Sequence, residues 1–336
     1  MRSRLVQYGL GIVIGSLFLA AGPVEAGKYS YRGYSAYGGG AESGFYVRAE
    51  GGLFNPRNTD QVLGSVVDSG VHSQVIPIWD DEFAGGAAFG YRFDNGSRIE
   101  ASVWGYETDT GATGLGSGGD MLHFTIAPPA TSGGTPISSG NPGFYAVNTQ
   151  IEGTLADLTW AKGNEVGERL TMEWSLGLRY ANFEESYLGV YGDTSASNLF
   201  DVGKTMQGEG VGVRAGVGGR YDLTGSVAVT GSLGVSFLDG EITANSATAP
   251  RGQAGVLGAA AVAFDDSRSG EIRDFDVNLV WSTLGSQLEL SLGWEQSRWD
   301  GLTADLLRNP TGLSTTLRER DSVTFSGYKF GVFFRF

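Results

Sequence analysis

From residue 44 onward, the chain alternates apolar residues with polar or very small ones in short segments. Between Leu170 and Tyr180, apolar residues occupy every second position, and Thr, Glu, Ser, Gly and Arg occupy the others. Successive side chains of a β-strand point to opposite faces, so this period predicts strands with one apolar face. The ten predicted strands cover residues 44–53, 83–93, 98–106, 145–160, 170–180, 211–221, 227–237, 274–281, 288–295 and 328–336.

Two of these segments alternate less regularly. An aromatic residue lies on the otherwise polar face of segment 98–106, and the apolar face of segment 145–160 changes near Asp157. A change of face within one strand is typical of an inserted residue, so a β-bulge is expected near Asp157.

The connections between the predicted strands alternate strictly between short and long. The short ones are 94–97, 163–168, 222–225 and 284–286, and the long ones are 54–82, 107–144, 184–206, 240–270 and 300–320. This alternation is the rule for transmembrane β-barrels, which have short periplasmic turns, long extracellular loops and an even number of strands. The sequence therefore predicts an all-β, closed antiparallel transmembrane barrel of about ten strands, with roughly 8–12 possible.

The N-terminus has the features of a secretory signal. Arg2 and Arg4 precede an apolar stretch over residues 10–21, and Val24-Glu25-Ala26 resembles a cleavage site. The expected organisation is a cleaved signal peptide over residues 1–26, a flexible Tyr- and Gly-rich segment over 27–43, and the barrel over 44–336. An uncleaved anchor helix is the alternative.

Composition and charge support export and exclude some partners. The chain has 55 glycines, 41% hydrophobic and 12% aromatic residues, and no cysteine. After residue 21, no apolar run reaches the roughly 18 residues that a spanning helix needs. The net charge of −14 argues against nucleic acid as a partner, and it suits a surface that faces water, cations or lipopolysaccharide-bound divalent ions.

The last nine residues, 328–336, read Tyr-Lys-Phe-Gly-Val-Phe-Phe-Arg-Phe. This ending resembles the bacterial outer-membrane β-barrel superfamily, whose members carry a C-terminal signal for the barrel assembly machinery. Lys329, Gly331, Phe334 and Phe336 match that signal. The resemblance implies a Gram-negative outer-membrane location, with the assembly machinery, membrane lipid and lipopolysaccharide as partners. It implies no cofactor, and it leaves the oligomeric state open.

Strand pairs such as 89–100 resemble porin-like and opacity-like families. The length and the five-loop layout resemble the Legionella-type major outer-membrane protein family.

The alternation places many charged residues on the face opposite the lipid. Eleven are predicted to line a pore: Arg48, Glu50, Arg92, Glu100, Glu173, Arg179, Arg214, Arg220, Glu289, Lys329 and Arg335. Glu152, Asp274, Asp276 and Glu295 are expected on the same face. A charged pore lining and an interior closed by salt bridges are both consistent with this pattern, because unpaired buried charges are costly.

The expected function is a porin-like, narrow passage for small solutes or ions. The alternative is a non-conducting structural or adhesive barrel that acts through acidic extracellular loops. No enzyme, catalytic set or metal site is predicted. His72 and His123 lack the close Asp-x-His pairing of outer-membrane proteases, and the acidic clusters at 80–82, 184–185 and 265–266 lack the spaced carboxylates of a calcium loop. Trp79, Trp104, Trp160, Trp281, Trp294 and Trp299 are expected in interfacial girdles.

Overall fold

The structure is a computed structural model that describes residues 43–57, 64–68, 71–75, 78–118, 121–123, 142–193, 199–251, 260–283, 287–302, 304–308, 315–319 and 322–336. The expected signal peptide (1–26), the lead-in (27–43) except its last residue, and the expected turn at 284–286 lie outside these ranges. Those expectations stay predictions.

Every regular element in the described ranges is a β-strand. The strands are β1 Gly44–Arg57, β2 Gly64–Asp68, β3 Val71–Val75, β4 Glu82–Arg92, β5 Ser97–Gly118, β6 Met121–His123, β7 Pro142–Glu165, β8 Leu170–Asp193, β9 Leu199–Asp222, β10 Val227–Arg251, β11 Ala260–Ser282, β12 Leu288–Asp300, β13 Ala304–Arg308, β14 Thr315–Glu319 and β15 Val323–Arg335. Among the residues described, no helix is long and apolar enough to cross a membrane.

Ten strands form one closed antiparallel barrel in the order β1, β4, β5, β7, β8, β9, β10, β11, β12, β15. The last strand pairs back to the first, with Val47 opposite Phe334 and Ala49 opposite Val332. The predicted fold class and strand number are therefore confirmed. The remaining strands form two small sheets outside the barrel, β13–β14 and β3–β2–β6.

Short connections lie at one end of the barrel, which we call the turn end, and the opposite end is the loop end. The hairpin between β4 and β5 closes with a hydrogen bond from the amide of Phe93 to the carbonyl of Ser97. Gly96 there has a φ of 77°, which a residue with a side chain rarely adopts. The Asn-Gly pair at 95–96 thus makes the tight turn that the sequence predicts.

The barrel wall is much taller on one side than on the other. β5 and β7 to β11 have 22–25 residues each, whereas β1, β4, β12 and β15 have 11–14. About 9–11 residues suffice to cross a bilayer, so roughly half of each long strand extends beyond it. Most of residues 184–206 and 240–270 is strand, and the prediction that these segments are loops is wrong.

The apolar face of the wall reverses partway up each long strand, with no change in pairing. On β8, Leu176 and Leu178 point outward, 56% and 55% exposed, whereas Ala181 and Phe183 are fully buried inside the barrel. Pairing between β7 and β8 runs without a shift from Gly143 to Glu165. The bulge predicted at Asp157 is therefore wrong. The face changes there because the apolar surroundings move from the lipid outside to a core inside.

Candidate functional site

The eleven charged residues predicted to line a pore all lie on the inward face of the wall, in the turn-end half of the barrel. Each of them shares its face of the sheet with buried inward residues at the paired positions of the neighbouring strands. Asp157, Asp274, Asp276 and Glu295 share this face, together with Arg98. Glu152 does not, since it alternates with the buried Ile151 and Gly153 and points outward, so its predicted place in the lumen is wrong.

The first ion-pair group centres on Arg98. Its guanidinium donates to Glu100 at 2.8 Å and to Glu173 at 2.7 Å, and it also reaches the hydroxyl of Tyr46 at 3.1 Å. Tyr46 in turn donates to Glu100 at 2.9 Å, and Arg48 contacts the same carboxylate at 3.0 Å. The group joins β1, β5 and β8 across the lumen near the turn end.

A second group lies higher in the lumen and centres on Arg179. Its guanidinium makes two 2.7 Å hydrogen bonds to Asp157 and one of 2.6 Å to Asp274. Arg214 lies 3.7 Å from both carboxylates. Planar, two-point contacts of this kind fix geometry as well as charge, which rigidly ties β7 and β8 to β11.

Three further ion pairs belong to the inward network. Lys329 contacts Glu295 at 2.8 Å, and Arg220 contacts Glu289 at 3.2 Å and Asp222 at 2.7 Å. These pairs connect β12 with β15 and β9.

These charged side chains are packed together and are not exposed to a wide water-filled lumen. Arg92, Arg179 and Arg220 are only 3–4% exposed, and Glu173 is 6% exposed. The remaining space is a polar cavity of about 200 Å³ between the groups. Its charged lining comprises Arg48, Glu50, Arg98, Glu100, Asp157, Glu173, Arg179, Arg214, Asp274, Asp276, Glu289, Glu295 and Lys329.

Directly above this cavity, an apolar cluster fills the lumen. Its fully buried members come from strands around the whole barrel, so it spans the lumen from wall to wall. The cluster comprises Phe54, Trp79, Ala84, Tyr106, Ile151, Leu155, Ala181, Phe183, Met206, Leu238, Ile242, Ala244, Ile272, Trp299, Leu302, Val323 and Phe325. We call it the outer apolar core.

The aromatic rings of the outer apolar core interlock. The ring of Phe325 lies 4.9 Å from that of Tyr106 and 5.4 Å from that of Trp299, and Phe183 lies 6.3 Å from Trp299. The indole of Trp299 donates to the hydroxyl of Ser297, which donates to Asp274. The apolar core is thus hydrogen-bonded to the ion-pair network below it.

The prediction of interfacial tryptophans is wrong for Trp299, which is fully buried in the lumen. It is also wrong for Trp79, which is buried in the same core, and for Trp104, whose ring packs inside against Phe54 and Phe325. The sequence does not predict the outer apolar core, because the alternation assigns the apolar residues of each strand to the outward face and the polar residues to the inward face. The aromatic residue on the wrong side of segment 98–106 was the available signal.

Above the apolar band, the outer face of the long strands carries carboxylates at directly opposite cross-strand positions. Glu152 pairs with Glu107 on β5 and with Glu184 on β8. Burial, together with the charges of Glu107 and Glu184, raises the pKa of the Glu152 carboxyl above its usual value. Glu184 and Glu185 lie on opposite faces of the wall. Glu184 points outward, whereas Glu185 points inward and contacts Lys204 at 3.4 Å.

We expect Glu152→Gln to stabilise the barrel at pH 7 and to leave its stability unchanged at pH 4. The folded chain binds this proton more tightly than the unfolded chain, so the group's contribution is complete below its unfolded pKa of about 4.3 and is lost as pH rises through the folded pKa. The gain at pH 7 should not exceed about 0.5 kcal/mol, since the side chain is only partly buried.

Urea unfolding in detergent at both pH values, followed by tryptophan fluorescence, measures this effect. Glu168→Gln, at the turn end, is the matched control. An equal gain for Glu152→Gln at pH 4 and pH 7 would show that carboxylate repulsion is not the cause.

Metal and histidine sites find no support among the described residues. No group of three or more His, Cys, Asp or Glu side chains in those ranges could hold a metal ion. His72 and His123 lie on β3 and β6, which both pair with β2.

The architecture agrees with a family model. Residues 46–334 match the family described as Legionella pneumophila major outer membrane protein precursor. The chain belongs to this family. Its location is therefore the bacterial outer membrane, and the resemblance seen in the sequence is confirmed. By the topology rule for such barrels, the turn end of this major outer membrane protein homologue faces the periplasm.

Similar solved structures are also outer-membrane proteins. They include the outer membrane protease OmpT from Escherichia coli (10% identity, 91% of this chain and 100% of that chain, TM-score 0.49). The toluene transporter TodX from P. putida (10%, 88% and 90%, 0.38) and OprG from Pseudomonas aeruginosa (11%, 88% and 98%, 0.34) are two others. All three TM-scores lie below 0.5, and nothing about function follows from them. No curated protein matches the chain.

Proposed function

We propose that this member of the major outer membrane protein family is a surface barrel that conducts neither ions nor polar solutes in its resting conformation. The observation that carries the proposal is the outer apolar core, which fills the lumen between the polar cavity and the loop end. Small barrels have interiors that side chains can fill, whereas wide aqueous channels need about 16 strands or more. The charged residues on the inward face then serve mainly to hold the wall together.

The physical cost of crossing this core is high. Trp299, Phe183, Phe325 and Ile272 are fully buried, and they lie among the apolar side chains of this core. Water enters a cavity only where it finds about two to four polar partners, and an isolated ion loses tens of kcal/mol of solvation in an apolar medium. An ion in the cavity would therefore be stopped at the level of Trp299.

A narrow porin-like passage is the second candidate, and the polar cavity favours it. About 200 Å³ holds several waters, and its lining carries charges of both signs. This candidate requires the outer apolar core to rearrange, because the cavity ends beneath it. A catalytic role has no support from the lining side chains, which are committed to one another as ion pairs.

Planar bilayer recording of the purified full-length protein tests the proposal. We expect no conductance steps at high protein load and moderate voltage, under conditions in which a wide trimeric porin, reconstituted in parallel, gives clear steps. Successful insertion is verified by flotation with lipid vesicles and by the heat-dependent gel mobility of folded barrels. Frequent discrete steps from the wild-type chain would refute the closed state and favour the passage.

The expected partners stay predictions of the same kind. Outward residues such as Leu176, Leu233 and Phe330, all more than half exposed, suit contact with lipid chains. Contact with lipopolysaccharide, recognition of Lys329, Gly331, Phe334 and Phe336 by the assembly machinery, and adhesion through acidic loops require separate binding experiments.

A further inference from the structure

Two members of the outer apolar core, Trp79 and Leu302, do not lie on barrel strands. β12 ends at Asp300, and Gly301 follows with a φ of 76°, which turns the chain inward. Leu302 then lies inside the lumen, 1% exposed. All other members of the core except Trp79 lie on barrel strands, so the turn at 301–302 is an insertion into the lumen.

The wall has a seat for this turn. A Cβ atom on Gly208 of β9 would overlap the carbonyl oxygen of Leu302, and a Cβ on Gly270 of β11 would lie 2.8 Å from Leu302 Cγ. Any side chain at either position would displace the turn. The absence of a side chain at Gly208 leaves room for the backbone of Leu302, and its absence at Gly270 leaves room for the Leu302 side chain.

A row of glycines on the inward face of β9 runs from the seat toward the polar cavity. The inward positions of β9 below Gly208 are Gly210 and Gly212, and the next is Arg214, which lines the cavity. β9 itself therefore contributes no inward side chain between Gly208 and Arg214, and the inserted turn covers the loop end of this row.

We propose that the Gly301–Leu302 turn is an outer plug that docks reversibly on Gly208 and Gly270, and that its release opens a path along β9 to the polar cavity. The proposal rests on the closed resting state proposed above and adds that closure depends on one docked contact. Gly301 is the hinge, because its left-handed backbone is the point at which the chain leaves the wall.

Bilayer recording of seat variants tests the plug. Gly208→Ala is expected to give discrete conductance steps that the wild type lacks, because the new methyl group occupies the place of the Leu302 carbonyl. Gly203→Ala is the matched control on the same strand, since a Cβ there meets nothing within 4 Å. It should remain as silent as the wild type.

A disulfide lock gives a second, independent test if Gly208→Ala does not fold. The chain has no cysteine, so a Gly270→Cys, Leu302→Cys pair would be its only thiols. The short distance from residue 270 to Leu302 Cγ puts the two Cβ atoms within disulfide range. We expect the oxidised protein to be silent, and its open time to rise at least tenfold on reduction.

The outcomes separate the two proposals. The plug is wrong if the wild type, the folded Gly208→Ala variant and the reduced double-cysteine variant all show no conductance. That result leaves the proposal of a closed barrel intact. Equal conductance from Gly203→Ala and Gly208→Ala also overturns the plug. A wild type that conducts overturns the closed resting state, and if oxidation of the cysteine pair leaves that conductance unchanged, it overturns the plug as well.

Discussion

Methionine in place of Arg179 is expected to lower the free energy of unfolding by about 3–5 kcal/mol. Arg179 is 3% exposed and supplies hydrogen bonds to Asp157 and Asp274. Without the guanidinium, two carboxylates remain close together inside the barrel, with only Arg214 near both, at 3.7 Å. Equilibrium unfolding in urea from lipid vesicles, followed by tryptophan fluorescence, gives the difference.

Arg298→Met is the matched control for this substitution. Arg298 lies outside the lumen with a side chain that is 45% exposed, and it contacts Asp300 at 3.1 Å. Exposed pairs of this kind contribute about 0–1 kcal/mol. If Arg179→Met cost no more than Arg298→Met, water would be screening the lumen charges, and the barrel would have to be open at the turn end.

Alanine in place of Phe183 should lower the free energy of unfolding by about 3–5 kcal/mol, because a ring that is fully buried leaves a cavity in the outer apolar core. Phe183 lies beyond the apolar band of β8, on the inward face, where a barrel filled with water would expose it. The same urea experiment measures the effect.

Asn182→Ala provides the comparison, because Asn182 is the adjacent residue on the same strand and points outward. Surface substitutions away from special features change stability by about 0.5 kcal/mol or less. Comparable losses at the two positions would contradict the assignment of Phe183 to the core, and with it the reversal of the apolar face along β8.

The sequence predicts the turn-end half of the barrel well. There the outward apolar residues, such as Leu176 and Phe330, meet lipid, so simple alternation gives the strand number, the register and the direction of each charged side chain. The hairpin at Asn95-Gly96 follows from its local chemistry. These features depend on neighbours along the chain or on the uniform lipid environment.

The loop-end half is predicted poorly for a physical reason. Beyond the bilayer the outer face meets water and the inner face becomes the core, so the apolar phase of a strand reverses although the backbone continues unchanged. A change of phase has the same appearance in sequence as a bulge, and Asp157 was interpreted that way. The sequence likewise predicts a loop where the upper parts of β8 and β9 lie, because their outward faces carry residues such as Glu184 and Gln207.

The choice of ion-pair partners could not be predicted either. Alternation shows that Arg98 and Glu173 both point inward, but they are 75 residues apart and lie on strands that are not neighbours. Their contact depends on the curvature of the closed wall. The contact of Leu302 with Gly208 and Gly270 could not be predicted for the same reason. It forms only because β9 and β11 lie on the same side of the lumen.

Because the wall is of unequal height, two strands of the described barrel continue above the membrane beyond one of their neighbours. In the described barrel ladder, β4 pairs with β5 only as far as Tyr106, and β12 pairs with β11 only from Glu271 onward, so the upper parts of β5 and β11 have a ladder partner on one side. Free edges of this kind are templates for strand addition by another chain. Both carry exposed carboxylates, Glu107 and Asp109 on β5 and Asp265 and Asp266 on β11. Their like charge disfavours strand pairing between the edges of neighbouring barrels.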